Sequence, residues 1–353
     1  MTMPATRFAG LSRRASILVL TVAGLACAGL LYVALIHVDA VSDPSRGSDR
    51  EMYERVVGQM RQGVNYYDAA RTELSAGGYG MQSVFNWRTP LFPSLLALVP
   101  ATIWAQAVLV LLALAAGALA CRVAHLGLGR RAAISLGVLE VLGLGVCFVP
   151  QSVVLSEIPA GVLILLSASA YGLRRPGIGQ AAGILALFLR ELAAPYVLVC
   201  LFLAWRERRW PEALGWLVAL LFYALYFFWH VHMVQLHQSP GDHADARSWL
   251  TLGGADFMLV TAAFNGLLLA APLWVTAILL PLAGLGLLAW PGSAGLRTAL
   301  TVFGYLALYA IVGKPLNGYW GAIYTPLLMP GLVWAPAALR DLFARLVPAS
   351  ATA

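Results

Sequence analysis

Asp49, Arg88, Glu157, Arg190, Glu191 and Lys314 are the residues whose types and settings suit chemistry, because each interrupts or borders an apolar stretch. Asp49 falls in the first turn of a helix that opens at Ser48-Asp49-Arg50-Glu51, where the helix dipole favours a carboxylate. A positioned carboxylate is what a general base requires, although the dipole alone accounts for the residue almost as well. Ser48 and Glu51 stand at capping-box spacing, which gives Glu51 a structural role first; Asp43 and Glu51 are the alternative bases. Arg190 and Glu191 fall between two short apolar segments, and charges at membrane depth are functional hypotheses by default. A helix-turning ion pair is the bland alternative, in which each residue needs its own partner because neighbours on a helix do not face each other. Arg88, in Trp87-Arg88-Thr89-Pro90, either snorkels or binds, and Trp87 is the expected interfacial anchor. Glu157, in Ser156-Glu157-Ile158-Pro159, fits a helix start and a polar site equally. Lys314 is the only lysine in the chain and sits where positive charge is disfavoured, which favours an anion as its partner.

Other candidates are weaker. Glu140 is expected mid-span, hydrogen-bonded within the bundle. His230, His232, His237 and His243 cross a helix end and a Ser-Pro-Gly turn, so no zinc site is expected, and no nucleotide-binding or HExxH motif is present. Cys27, Cys121, Cys147 and Cys200 lie in apolar runs and read as small buried hydrophobes.

The elements that must position these residues are membrane helices. Of 353 residues, 60% are apolar and 11% charged, against roughly a quarter charged in soluble domains. That balance excludes a soluble globular chain, a disordered one and a disulfide scaffold, and places the net charge of +7 in a membrane setting rather than on nucleic acid. Spans are expected near 16–36, 101–121, 132–150, 156–173, 213–233, 262–289, 297–313 and 319–336, the first an uncleaved anchor. Arg7, Arg13, Arg14, Arg122, Arg130, Arg131, Arg174, Arg175, Arg206, Arg208, Arg209, Arg297, Arg340 and Arg345 mark the ends and alternate loops as cytoplasmic; Asp39, Asp43, Asp49, Asp68, Asp242, Asp245 and Asp256 mark the others as outward.

Region 178–205 lies between two arginine loops assigned to one side, so it must cross twice or form a re-entrant hairpin. As helix it rises about 42 Å, whereas two perpendicular crossings need about 60 Å. Two short half-helices are therefore expected, meeting at Arg190-Glu191. The expectation is an all-α polytopic transmembrane bundle of about ten crossings, both termini cytoplasmic. It forms a single membrane domain over 1–353 with a large first extracytoplasmic loop, 37–90, carrying an amphipathic helix on which Tyr53, Val56, Val57 and Met60 share a face.

A first span, a large outer loop with an early Asp, an aromatic-Gly segment (Gly77-Gly78-Tyr79-Gly80) and an Arg-x-Pro re-entry together resemble the C-type (GT-C) integral-membrane glycosyltransferase superfamily. Ser156-Glu157 and the Gly183-led short helix ending in Arg190-Glu191 are similar to that superfamily's acidic span start and Arg-terminated helix. The resemblance covers roughly 16–210 in layout and, more faintly, Tyr319 to Pro330. The chain departs from the pattern in carrying Asp-Arg-Glu at 49–51 instead of adjacent acids, and no sizeable C-terminal soluble domain is evident. The resemblance implies a polyprenyl-phosphate-linked sugar donor held in membrane lipid, and an acceptor that is lipid, glycan or protein. It implies inversion with Asp49 as base, at the periplasmic face of a bacterial inner membrane. Arg190, with Arg88 or Lys314, would stabilise the leaving phosphate, and Glu157 or Glu191 would orient them; no metal, cofactor or nucleic acid is implied. The alternatives are a secondary transporter, which calls for paired interrupted helices in two halves and midplane charges, and a non-catalytic assembly partner docking through the outer loop. Convergence of Asp49, Arg190 and Lys314 on one laterally open cavity is what separates the first reading from the other two.

Overall fold

The computed structural model describes residues 5–36, 48–244, 252–313 and 315–346, and among them every regular element is helical. The helices are α1 (Arg13–Ile36), α2 (Asp49–Arg61), α3 (Tyr66–Ala76), α4 (Leu91–Leu98), α5 (Thr102–Leu128), α6 (Arg130–Gly143) and α7 (Glu157–Gly172). After these come α8 (Pro176–Leu189), α9 (Ala194–Arg206), α10 (Trp210–Leu236), α11 (Gly254–Ala262), α12 (Leu273–Ala289), α13 (Gly292–Ile311) and α14 (Leu328–Ala344). Among the described residues, six stretches are long and apolar enough to cross a membrane: Arg13–Ile36, Thr102–Leu128, Arg130–Phe148, Trp210–Leu236, Gly292–Ile311 and Thr325–Ala344. Large aliphatic and aromatic side chains such as Leu25, Leu111, Phe222 and Phe228 stand outward on these helices, as lipid contact demands. Their count falls short of the expected crossings, because α7, α8 and α12 are shorter apolar helices.

The 178–205 region is two half-helices. α8 stops at Leu189, Arg190 is extended (φ −153°, ψ 120°), Glu191–Ala193 makes one 3₁₀ turn, and α9 starts at Ala194 with Pro195 in its first turn. Proline there is tolerated because that N–H has no intrahelical partner. The Tyr305 hydroxyl of α13 donates to the Leu192 carbonyl at 2.6 Å, satisfying a backbone acceptor that the break exposes.

The span expected over 262–289 is instead interrupted. α11 ends at Ala262, and Asn265 Oδ1 accepts the amides of Leu267 and Leu268 at 3.1 and 2.9 Å before Pro272 opens α12. Hydropathy does not register this, because the break is itself apolar. The span expected over 319–336 likewise begins as a 3₁₀ segment, Pro315–Ile323, before α14. Two glycines let that segment lie against its neighbours: a Cβ on Gly161 of α7 would stand 2.0 Å from the Ala322 carbonyl oxygen, and one on Gly321 1.8 Å from that of Thr261. The described chain ends meet at the opposite end of the bundle, where the Thr6 amide donates to Asp341 at 2.8 Å.

Between α1 and α5, residues 48–90 fold as a helical cap. α2 presents Met52, Val56 and Val57 inward, while α3 contributes Tyr66, Tyr67, Ala70 and Leu74. Glu73 joins the two helices by accepting from Arg55 and from Gln59, the latter at 2.7 Å. The end of α10 holds the cap: Arg71 donates to the His237 carbonyl and to both Asp242 oxygens, at 3.1 and 3.2 Å. Trp87 is not an interfacial anchor; it is buried, donating to the Met81 carbonyl at 3.0 Å. Its own carbonyl accepts from His230 Nε2 at 3.1 Å, which leaves Nδ1 to accept from the Tyr67 hydroxyl at 3.0 Å.

Candidate functional site

Asp49 occupies the first turn of α2, but the expected capping box does not form, since the Ser48 side chain caps nothing. Tyrosines hold the carboxylate instead. Tyr79 donates to Oδ1 and Tyr319 to Oδ2, the latter at 2.7 Å. Each carboxylate oxygen has a second lone pair, so both can still accept from another hydroxyl. Tyr319 arrives from the 3₁₀ segment that Gly161 and Gly321 seat against α7 and α11.

Arg88 links this carboxylate to the charges behind it. Its Nη2 donates to the Tyr319 oxygen at 3.0 Å and lies 3.3 Å from Glu157 Oε1, and its Nη1 is 3.7 Å from Glu191 Oε1. The guanidinium also stands 5.3 Å from the centre of the Tyr53 ring, within cation–π range. Its backbone carbonyl accepts from Tyr66, which fixes the Arg-Thr-Pro turn.

Arg190 Nε lies 2.7 Å from Glu157 Oε1 and Nη1 pairs with Glu191. Sequence neighbours on a helix could not meet this way; they do here because Arg190 is extended and its side chain turns back across the break. Glu157, at the N-terminus of α7, is fully buried and Arg190 is 1% exposed, whereas the Glu191 side chain keeps 20% exposure. Arg190 and Arg88 both face the Glu191 carboxylate and offset the cost of placing its charge there. Glu157 Oε2 and Glu191 Oε2 have no hydrogen-bond donor among the described residues. The cluster therefore carries spare acceptor capacity around two crowded guanidinium groups.

Beneath Arg88 and Glu191 a narrow cavity of about 20 Å³ lies between α2, α4 and α8, walled by apolar side chains including Val56, Val57, Phe92, Leu96 and Leu189. The cavity is apolar at one end and meets charge at the other, and an apolar chain enters it only by parting these side chains.

Five of the six site residues expected from sequence, Asp49, Arg88, Glu157, Arg190 and Glu191, thus form one connected cluster. Lys314, Asp43 and Asp245 lie outside the described residues, and Glu51 belongs to the exposed side of α2. Arg297, expected in a loop, is instead buried on α13. Sequence reasoning missed Tyr53, Tyr79 and Tyr319. The available signal was tyrosine flanked by glycine in Gly78-Tyr79-Gly80 and Gly318-Tyr319, where small neighbours leave room for a ring to turn inward. Compared with known protein families, curated proteins and solved structures, the chain matches none.

Proposed function

We propose that this chain is a multi-pass membrane glycosyltransferase of the C type, transferring a sugar from a polyprenyl-phosphate donor to an acceptor hydroxyl at the extracytoplasmic face with inversion. The observation that carries this reading is the continuous series Glu157–Arg190–Glu191–Arg88–Tyr319–Asp49 set at the polar end of an apolar cavity. The prenyl chain lies along Phe92, Leu96 and Leu189, and its phosphate meets Arg88 and Arg190. Glu157, with no access to solvent, is their permanent counter-ion; Glu191, partly exposed, is the one that the phosphate displaces. The acceptor oxygen attacks the anomeric carbon while the bond from that carbon to the phosphate oxygen breaks. The acceptor proton passes to Asp49, and the departing phosphate keeps the electron pair beside the two guanidinium groups.

Transport draws support from one observation, the second interrupted stretch between α11 and α12, since paired broken helices are how many transporters build their sites. That break holds no charged side chain, and Asn265 spends its oxygen on the local backbone.

The deciding experiment is mass spectrometry of lipid-linked sugars in cells lacking the chain. A polyprenyl-phosphate sugar accumulates and its acceptor goes unmodified; the wild-type chain restores transfer, and Asp49→Asn, inserted to the same level, is slower by about 100-fold or more. Unchanged lipid-linked pools in the deletion, or full restoration by the Asn variant, overturn the proposal.

A further inference from the structure

Away from that site, α5 and α6 form an antiparallel pair whose outward face carries a notch of about 120 Å³, walled by Ala113, Gly117, Ala118, Cys121 and Gly137. Glu140 projects into it. The expected hydrogen bond within the bundle is missing: the residue is 2% exposed, yet neither carboxyl oxygen has a partner among the described residues. A Cβ on Gly117 would stand 3.7 Å from the Glu140 Cβ, so the acid lies level with the middle of α5, which runs from Thr102 to Leu128. Leu111, Leu114, Val138 and Val141 around the notch are exposed, as on a lipid-facing surface.

An acid at this depth without a donor is costly, and small residues let a second helix backbone come close enough to supply one. The geometry points to a partner for this notch: a single transmembrane helix of another polypeptide that carries Lys or Arg near mid-bilayer. Charge complementarity selects that occupant. A second copy of this chain does not offer it, because the arginines of its described spanning helices stand near helix ends or in buried contacts such as those of Arg190 and Arg297. The notch lies on helices other than those bearing the Asp49 cluster, so the inference is independent of the proposed activity.

Cys121, on the notch wall, provides the readout. The purified full-length chain in phosphatidylcholine vesicles is mixed with one of two synthetic Leu/Ala-rich single-span peptides, each bearing a cysteine one turn from its centre. One peptide has a central Lys and the other a central Leu, and both are oxidised with copper–phenanthroline. The Lys peptide is expected to cross-link to the chain at least tenfold more than the Leu peptide, with the product absent in Cys121→Ala. Glu140→Leu should erase the preference, and Glu140→Gln, which keeps the side-chain volume and the fold, should remove most of it. Equal cross-linking of the two peptides, a preference that survives both substitutions, or chain-to-chain disulfides in place of chain-to-peptide ones would each overturn the inference.

Discussion

Among the described residues two arginines are buried, one at each end of the bundle, and they are held in opposite ways. Arg190 sits among carboxylates, sharing Glu157 and Glu191 with Arg88 above an apolar cavity. Arg297 lies with its guanidinium carbon 3.6 Å from the centre of the Tyr171 ring, beside Cys200. The Tyr171 hydroxyl is itself tied to Glu212 at 2.7 Å, and Glu212 is in turn paired with Arg209. A buried cation is therefore not by itself a binding site. What distinguishes Arg190 is a partly exposed carboxylate, Glu191, that can leave it.

Substituting each arginine tests that contrast most severely. Arg190→Ala leaves Arg88 as the remaining cation at buried Glu157, so it is expected to cost up to about 3–5 kcal/mol of stability, read as a lower Tm in detergent, and to abolish the proposed donor turnover. Arg297→Met removes the ring contact, worth about 2 kcal/mol when desolvated, and should leave turnover per folded molecule unchanged. If Arg297→Met also lost donor turnover, the two ends would be functionally alike and the contrast would fail.

Smaller changes sharpen it. Tyr319→Phe deletes the hydroxyl between Arg88 and Asp49, a loss of about 0.5–1.5 kcal/mol per hydrogen bond. That corresponds to a fall in kcat of up to about tenfold with donor KM little altered, separable by steady-state kinetics. An unchanged kcat would mean that the hydroxyl only fills space. The smallest effect concerns the cap's tether. Arg71 and the Ser239 amide hold Asp242 below its ordinary value of 3.8, so the tether contributes fully above that pH and is lost as pH falls through the depressed value. Limited proteolysis of the cap should thus accelerate only below about pH 3.8 in the wild-type chain, and at all pH values in Asp242→Asn.

The contrast also explains what could be read beforehand. Counting arginine loops located the break at Arg190, because too few residues separate Arg175 from Arg206 for two full crossings. The same counting misplaced Arg297, since charge asymmetry records where a cation is expected to face water and not whether a tyrosine ring covers it. Asp49 was visible as a first-turn acid, but its partners were not: Tyr79 comes from a loop without periodicity, and Tyr319 from a 3₁₀ segment that reads as the start of an apolar span. The interruption after Ala262 stayed hidden for a related reason, as Asn265, Gly266 and Pro272 are spread through residues apolar enough to pass for one continuous span.

The bond from Tyr319 to Asp49 joins residues 270 positions apart. On a ribosome adding roughly 5–20 residues per second, Asp49 emerges on the order of 15–50 s before the tyrosine that will hold it. Throughout that interval the nascent chain carries a carboxylate whose mate has not been synthesised, so a product terminated before Tyr319 lacks that bond altogether.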